Sequence, residues 1–334
     1  MTVSGAGIAR RLRRQSARGI VLCYHRVAGP RPDPAALDVA PAHFAAHMAT
    51  LRERARVLPL GEFERARTAG RLPRRAVAVT FDDGYADNLH TALPILEAHG
   101  IPGTVFVTTS GIDAPHEFWW DALERICHAP HALPARLEIP DPGAPFCWSL
   151  DERARAPRDA GTSGTDGARA PLYTALSVWL RVRPAAAQMA AVAHLHAWSG
   201  TAQGARESHR TLRADELQAL VRSPLVEIGS HSVTHPVLGL LDESGQRDEC
   251  AASREALRRW LGAAPSLFAY PFGTGAAVTR DAEAVVRGAG YAAAFTTDAR
   301  AAWRWNRPSS VPRFAMQSWD GAEFARRLDL WFEE

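Results

Sequence analysis

The sequence predicts an α/β fold: parallel strands joined by helices, closed into a barrel and interrupted by a mostly helical insertion. Three observations predict it. Short apolar runs of strand length alternate with amphipathic segments of helix length, the pattern of parallel strands with crossover helices. That rhythm breaks once, across 116–209, and then resumes. Several of the apolar runs end in chemically active side chains: His25, Asp82 with Asp83, His231 with His235, and Tyr270. A barrel of parallel strands collects such ends on one face although they lie far apart in sequence. The 334 residues suit one barrel with an insertion, since such barrels run to roughly 250 residues or more. The expectation is a single domain over 1–334, with its core at 19–115 and 210–320. The 116–209 insertion is then packed on the barrel and is not an independent domain.

Taken in order, residues 1–18 read as a basic tail or frayed helix, and Gly19 to Tyr24 as the first strand, ending at His25. A proline-rich loop from Gly29 to Pro34 leads to a helix over Pro41–Arg56 that carries His43, Phe44, His47, Met48 and Leu51. His43 and His47 form an i,i+4 pair, expected on the surface of that helix because no third ligand lies nearby. A helix around Glu62–Arg67 precedes the strand Ala76–Phe81, whose β-branched and small residues stop at Asp82, Asp83 and Gly84. The run Asn88–His99 is a helix with a glycine stop at Gly100, and Ile101–Thr109 is the next strand.

The break opens on Phe118, Trp119, Trp120 and Asp121 with a helix through Ile126. A flexible tract follows over 159–168, rich in Gly, Ser and Thr, then helices near Leu172–Leu180 and Ala185–Trp198. Regular alternation returns with a helix from Leu212, a strand Val226–His231, a long helix Asp242–Leu261 and a strand Ser266–Pro271. Helix Arg280–Gly288, strand Tyr291–Thr297 and the segment Ser310–Phe314 complete the chain.

Composition excludes several function classes. A formal charge of +3, from 39 basic against 36 acidic residues, makes no electrostatic case for nucleic acid. All the basic residues are arginine, so lysine Schiff-base chemistry is ruled out. Cys23, Cys127, Cys147 and Cys250 are scattered without a CxxC pair, which fits reduced structural thiols in a cytosolic protein. Arg10, Arg11, Arg13 and Arg14 resemble the basic start of a signal peptide, but no apolar core of 7–15 residues follows. No stretch approaches the roughly 18 apolar residues of a membrane helix. The expectation is a cytoplasmic protein that works there or at the inner membrane face, its basic start able to touch an acidic surface.

The strand-end groups suggest a metal centre. Two adjacent carboxylates resist simultaneous ionisation; a cation relieves one and leaves the other as a base. A polar turn is the simpler reading of Asp82-Asp83-Gly84 alone. His231 and His235 are spaced so that one helical turn of backbone puts both on one side. Core or surface histidines are the competing reading of that pair. Two histidines and an aspartate are three ligands, with positions left for water and substrate.

Three ordered motifs, Thr80-Phe81-Asp82-Asp83-Gly84-Tyr85, Ser230-His231-Ser232-Val233-Thr234-His235 and Phe268-Ala269-Tyr270-Pro271-Phe272-Gly273, resemble those of the polysaccharide deacetylases. These are the NodB-like proteins of carbohydrate esterase family 4, and the resemblance covers 20–115 and 210–315. It implies a distorted (β/α)7 barrel and removal of N- or O-acetyl groups from sugars. It also implies one divalent metal ion, zinc first, with cobalt, nickel and manganese as the other candidates. On this resemblance Asp82 is the general base, Asp83, His231 and His235 hold the metal, and Phe272 offers its backbone N–H to the oxyanion. The family's usual arginine in the third motif is replaced by Ala269; Arg313 is the candidate to orient the base instead. The late Leu-x-His motif that normally carries the general acid is missing. Leu22-Cys23-Tyr24-His25-Arg26-Val27 resembles the early Tyr-His motif of the poly-N-acetylglucosamine deacetylases, so His25 takes the acid role.

Tyr85, Tyr270, Trp119 and Trp120 are the candidates for sugar contact, with core packing the competing reading for the tryptophans. The implied reaction is removal of acetyl, chiefly N-acetyl, from an amino-sugar polysaccharide or its oligosaccharide or glycolipid precursor. Its rivals are a non-catalytic carbohydrate-binding relative and an amidohydrolase acting on a small or nucleotide-linked sugar amide.

Overall fold

The computed structural model describes residues 18–29, 33–157 and 167–333. The basic start through residue 17, part of the proline-rich loop and most of the 159–168 tract lie outside the described residues. The chain divides into two compact units. Met1–Gly29, Leu37–Asp113 and Thr211–Glu334 form the first, Pro30–Ala36 and Ala114–Arg210 the second.

The first unit is built on eight parallel strands: β1 (Gly19–Tyr24), β2 (Arg56–Val57), β3 (Ala76–Phe81), β4 (Gly103–Val107), β5 (Val226–Ser230), β6 (Leu267–Ala269), β7 (Ala293–Phe295) and β8 (Phe314–Ala315). Their order is β7-β6-β5-β4-β3-β1-β8, and β2 pairs with the first two residues of β3. The sheet curls, and the seam between its edge strands is bridged where Phe295 pairs in parallel with Val311. The result is parallel strands with helices around them, as the alternating pattern predicts, curled into the distorted barrel that the resemblance implies.

Strand alternation explains how the sequence fills both faces. Val21, Ala76 and Ala78 join Phe106, Leu267, Ala269, Phe295 and Val311 in the cluster enclosed by the sheet. Their neighbours Ile20, Leu22, Tyr24, Val77, Val79 and Phe81 face outward, against Phe44, Met48 and Leu51 of helix Pro41–Arg54 and Phe324 and Leu328 of helix Gly321–Glu333. Small residues on the enclosed side of β1 and β3 leave room for large ones from other strands. At Gly229 a Cβ would lie 2.3 Å from the Phe106 ring, so only glycine lets that ring sit against β5.

His47 departs from the sequence reading. It is fully buried, with Tyr24 Oη at 3.0 Å from Nδ1, and its Nε2–H donating to the Trp319 carbonyl at 2.8 Å. Burial, only partly opposed by the Trp319 carbonyl, lowers its pKa to about 4. The helix expected over Asn88–His99 is also modified: Asn88–Ala92 forms a π-helical turn before the α-helix Leu93–His99 begins. Such turns often occur at functional sites.

The second unit has its own apolar core. Leu123 and Ile126 of helix Trp119–Cys127 pack with Leu172, Leu176 and Leu180 of helix Ala170–Arg181 and Leu195 of helix Ala185–Ser199. An antiparallel hairpin, Arg136–Ile139 with Phe146–Ser149, adds Leu137 and Ile139, so this mostly helical region contains strand structure that the sequence reading lacks. Buried Arg169 donates to the carbonyls of Ala129, His131, Ala154 and Ala156, satisfying backbone acceptors that would otherwise be costly to enclose.

Candidate active site at the barrel's strand ends

Register brings the strand-end residues together. β1 and β3 pair from Gly19–Ala76 through Tyr24–Phe81, which sets His25 and Asp82 at one level. Val107 pairs with Ser230, and Ser230 with Phe268, which brings His231 to the level of Ala269. Thr80 and Asp82 continue the enclosed side of β3 set by Ala76 and Ala78, because side chains alternate along a strand.

Asp82 is nearly fully buried and held from several sides. The Arg313 guanidinium, itself wholly buried, donates from both terminal nitrogens to the two carboxylate oxygens at 2.7 Å each. The same guanidinium reaches Thr80 Oγ1 at 3.1 Å and the Thr296 carbonyl at 3.0 Å. The Cys23 thiol donates to Asp82 Oδ2 at 3.3 Å, and the Asp82 backbone N–H donates to the Tyr24 carbonyl. Burial by itself raises the Asp82 carboxyl, but Arg313, together with His231 and His25, more than offsets it, and the pKa falls to about 2. Asp82 is therefore an ionised carboxylate at neutral pH.

Asp83 faces a different set of partners. Its Oδ1 is buried without a hydrogen-bond partner and lies 3.4 Å from His231 Nε2 and 3.3 Å from His235 Nε2. A tetrahedral ion with bonds of about 2.1 Å separates its ligands by about 3.4 Å, so these separations fit a common cation. His231 Nδ1–H donates to the Ala269 carbonyl at 2.8 Å, which leaves Nε2 as the lone-pair nitrogen and fixes the ring as metal-ligating histidines require. Burial raises the Asp83 carboxyl, but the two imidazoles outweigh it and hold it well below the usual carboxylate range. Burial lowers both imidazoles; the carboxylates of Asp82 and Asp83 reverse this for His231, whose pKa rises, but not for His235, whose pKa stays lowered.

The two imidazoles do not share a helical turn. Ser232 and His235 adopt positive φ of 67° and 59°, and a loop folds back to set the rings 4.9 Å apart. Asp83 and Phe272 also have positive φ, 75° and 62°. Left-handed conformations cost non-glycine residues energy and cluster at functional sites. The Phe272 ring packs edge-on against His235 at 4.8 Å, and the Thr297 hydroxyl donates to the Phe272 carbonyl.

His25 is half-buried, and Asn88 Nδ2 donates to its carbonyl at 2.9 Å. Asp87 accepts from the Val27 N–H and from Arg26 Nε, so Asp87 and the π-helical turn it precedes anchor His25 and the two residues after it. Cys23, His25 and Asp82 each offer a ligand atom within 4.8 Å of the others. The Arg313 guanidinium paired with Asp82 makes that cluster a poor cation site; Asp83, His231 and His235 carry no such neighbour among the contacts described.

The expected sugar contacts fare differently. Tyr85 and Tyr270 are fully buried. Arg26 lies 4.4 Å over the Tyr85 ring, and the Tyr270 hydroxyl donates to the Ser309 carbonyl. Both are core residues in this fold, not exposed platforms. Trp119 and Trp120 belong to the second unit, where Trp120 stacks on Phe118 at 4.5 Å and Trp119 packs on the apolar core. Sequence reasoning missed Cys23, although a period-two strand puts it on the same side as His25. It also missed Asn88.

Among known proteins, the family model described as polysaccharide deacetylase matches 69–135 and 185–294, more than half of the chain. YxkH of Bacillus subtilis (strain 168), which is named for the same family, is 32% identical over 108 residues, covering 32% of this chain and 37% of that protein. The match thus spans little more than a third of that relative's length. The Streptococcus pyogenes deacetylase PplD, solved in complex with acetate, superposes with a TM-score of 0.59 at 17% identity, over 96% of this chain and 100% of that one. IcaB from Ammonifex degensii gives 0.56 at 20% identity, over 95% of this chain and 98% of that one. Both structures share the curled barrel. The chain belongs to the polysaccharide deacetylase family.

Proposed function

We propose that this protein is a metal-dependent deacetylase that removes acetyl, chiefly N-acetyl, from an amino-sugar polysaccharide or from an oligosaccharide or glycolipid precursor of one. The observation that carries the reading is the division of labour between adjacent carboxylates. Asp83 meets two imidazoles at ligand spacing, while Asp82 is turned to Arg313 and left outside that set. Asp83, His231 and His235 would hold a divalent metal, which when bound would supply Lewis-acid polarisation of the acyl carbonyl and a lowered pKa of water.

The chain's own groups account for the rest. Asp82, ionised at neutral pH, takes the proton of the attacking water. Arg313 and Cys23 keep its carboxylate in one orientation. The Phe272 N–H donates to the oxyanion as negative charge develops there. His25, on the neighbouring strand end, returns a proton to the departing amine. Substrate contacts come from outside the two buried tyrosines.

The test is acetate release from N-acetylglucosamine oligomers and from nucleotide-linked N-acetyl sugars, after chelation and after adding back zinc, cobalt, nickel or manganese. Activity on the oligomers that chelation abolishes and metal restores supports the reading. Turnover confined to the sugar nucleotides supports the small-amide alternative. Binding of oligomers without acetate release, with metal present, refutes catalysis.

A further inference from the structure

Between His231 and His235 two consecutive residues of the loop donate three hydrogen bonds to one distant carboxylate. Glu249, on the helix Glu243–Leu261, accepts the Val233 N–H at 2.7 Å and the Thr234 N–H at 2.9 Å on Oε2. Its Oε1 accepts the Thr234 hydroxyl at 2.6 Å. Within the loop, the His235 N–H donates to Ser232 Oγ at 3.0 Å. Outside it, Thr109 N–H and Ser110 N–H donate to the carbonyls of Ser232 and Val233. The residues flanking the two amides, Ser232 and His235, are the ones at positive φ.

We propose that Glu249 is a positioning residue for the candidate metal site: its carboxylate clamps the loop that carries both imidazoles. This rests on the metal reading given above. The physical case is that two left-handed residues within four positions are unfavourable in isolation. They persist only where the surroundings over-determine them. Glu249 accepts three hydrogen bonds from the consecutive residues Val233 and Thr234, two of them from backbone N–H groups, so it fixes the backbone of the loop itself. Without them the loop relaxes toward ordinary backbone angles. His235 Nε2 then leaves its place 3.3 Å from Asp83 Oδ1. Glu249 itself touches neither imidazole nor substrate; it acts through the backbone.

The experiment compares wild type, Glu249→Ala and Glu249→Gln in the full chain. Zinc affinity is measured by competition with a chromophoric chelator, cobalt geometry by visible absorption, and loop protection by hydrogen exchange across 231–237. Glu249→Ala is expected to bind zinc about 10- to 100-fold more weakly, the range for lost outer partners of ligands, with an altered cobalt spectrum and faster exchange in the loop. Glu249→Gln is expected to stay close to wild type, because its carbonyl oxygen still accepts both amides and its NH2 donates to the Thr234 hydroxyl. Equal zinc affinity and equal exchange in wild type and Glu249→Ala overturn the clamp. A Gln variant as weak as the Ala variant also overturns it, since charge and not the clamp would then be what matters. A wild type that takes up neither metal, with exchange across 231–237 slow, refutes the metal reading and with it this role for Glu249.

Discussion

Replacing Arg313 by methionine tests how the base is held. The substitution keeps most of the side-chain length and removes the guanidinium that donates to both Asp82 oxygens, to Thr80 and to the Thr296 carbonyl. Breaking a buried pair by removing one partner costs about 3–5 kcal/mol, because the remaining charge is left uncompensated. The titration of Asp82 sharpens this. Its folded carboxyl stands at about 2 against an ordinary 3.8, so in wild type it contributes about 2 kcal/mol of stability. That contribution is complete above the unfolded value and is lost as pH falls through the folded one. With Arg313 gone, the largest opponent of burial is lost and only His231 and His25 still lower the carboxyl, so its pKa moves upward and the contribution shrinks. Urea unfolding at pH 7 should show the loss, and the acid limb of kcat/KM should move to higher pH, since protonated Asp82 cannot accept a proton. The double variant Asp82→Asn with Arg313→Met should recover much of the stability while remaining inactive. If Arg313→Met unfolds within about 0.5 kcal/mol of wild type and its acid limb does not move, the pairing does not hold the base.

Three further outcomes are expected. Asp82→Asn should retain its zinc content while acetate release falls by about 10²–10⁴; near-normal turnover would remove Asp82 from the base role. His25→Gln should lower turnover of N-acetyl substrates by about 10² yet leave aryl acetates nearly unaffected, because a phenolate departs without a proton; equal losses on both would refute an acid role. Buried His47 stays neutral in the fold down to about pH 4, while the unfolded chain protonates near 6.5. Stability should therefore be full above about pH 6.5 and fall by about 3 kcal/mol as pH drops toward 4. His47→Gln should flatten that slope in unfolding melts, and an unchanged slope would assign the titration to another group.

The site was legible in sequence where chemistry is local and opaque where it is supplied from a distance. Asp82 and Asp83 stand out because two carboxylates at a strand end are unfavourable without a reason, and His231 with His235 because their spacing is short. Arg313 became a candidate only because Ala269 left a guanidinium missing from its expected place. Glu249 carries no such signal: its partners lie 15 and 16 residues earlier, and a glutamate on an amphipathic helix is ordinarily solvated. His47 shows the opposite error. Its helical spacing resembles a surface position, but its partners, Tyr24 and Trp319, come from the first strand and the chain's last segment. The tyrosines were misread for a related reason. Tyr270 adjoins the motif, yet Ser309 supplies an acceptor deep in the fold. Parallel strands joined by helices were readable from alternation, and the barrel from chain length and the resemblance; the π-helical turn at Asn88 was not, because no residue type marks it.

The bridge from Phe295 to Val311 closes the sheet, and Arg313 follows two residues later. During synthesis, therefore, seven of the eight strands leave the ribosome before the countercharge of Asp82 does. A nascent chain that stops short of residue 310 carries an open seam and a buried carboxylate with no guanidinium, so it has reason to stay loosely folded. Chains arrested at residue 305 should be digested by protease far faster than chains arrested beyond the end of β8 by a full exit-tunnel length; equal resistance would contradict this. On the proposed reading of Asp82 as the base, completion of the barrel and pairing of that carboxylate are one event, and a partly made protein has no competent site with which to meet substrate.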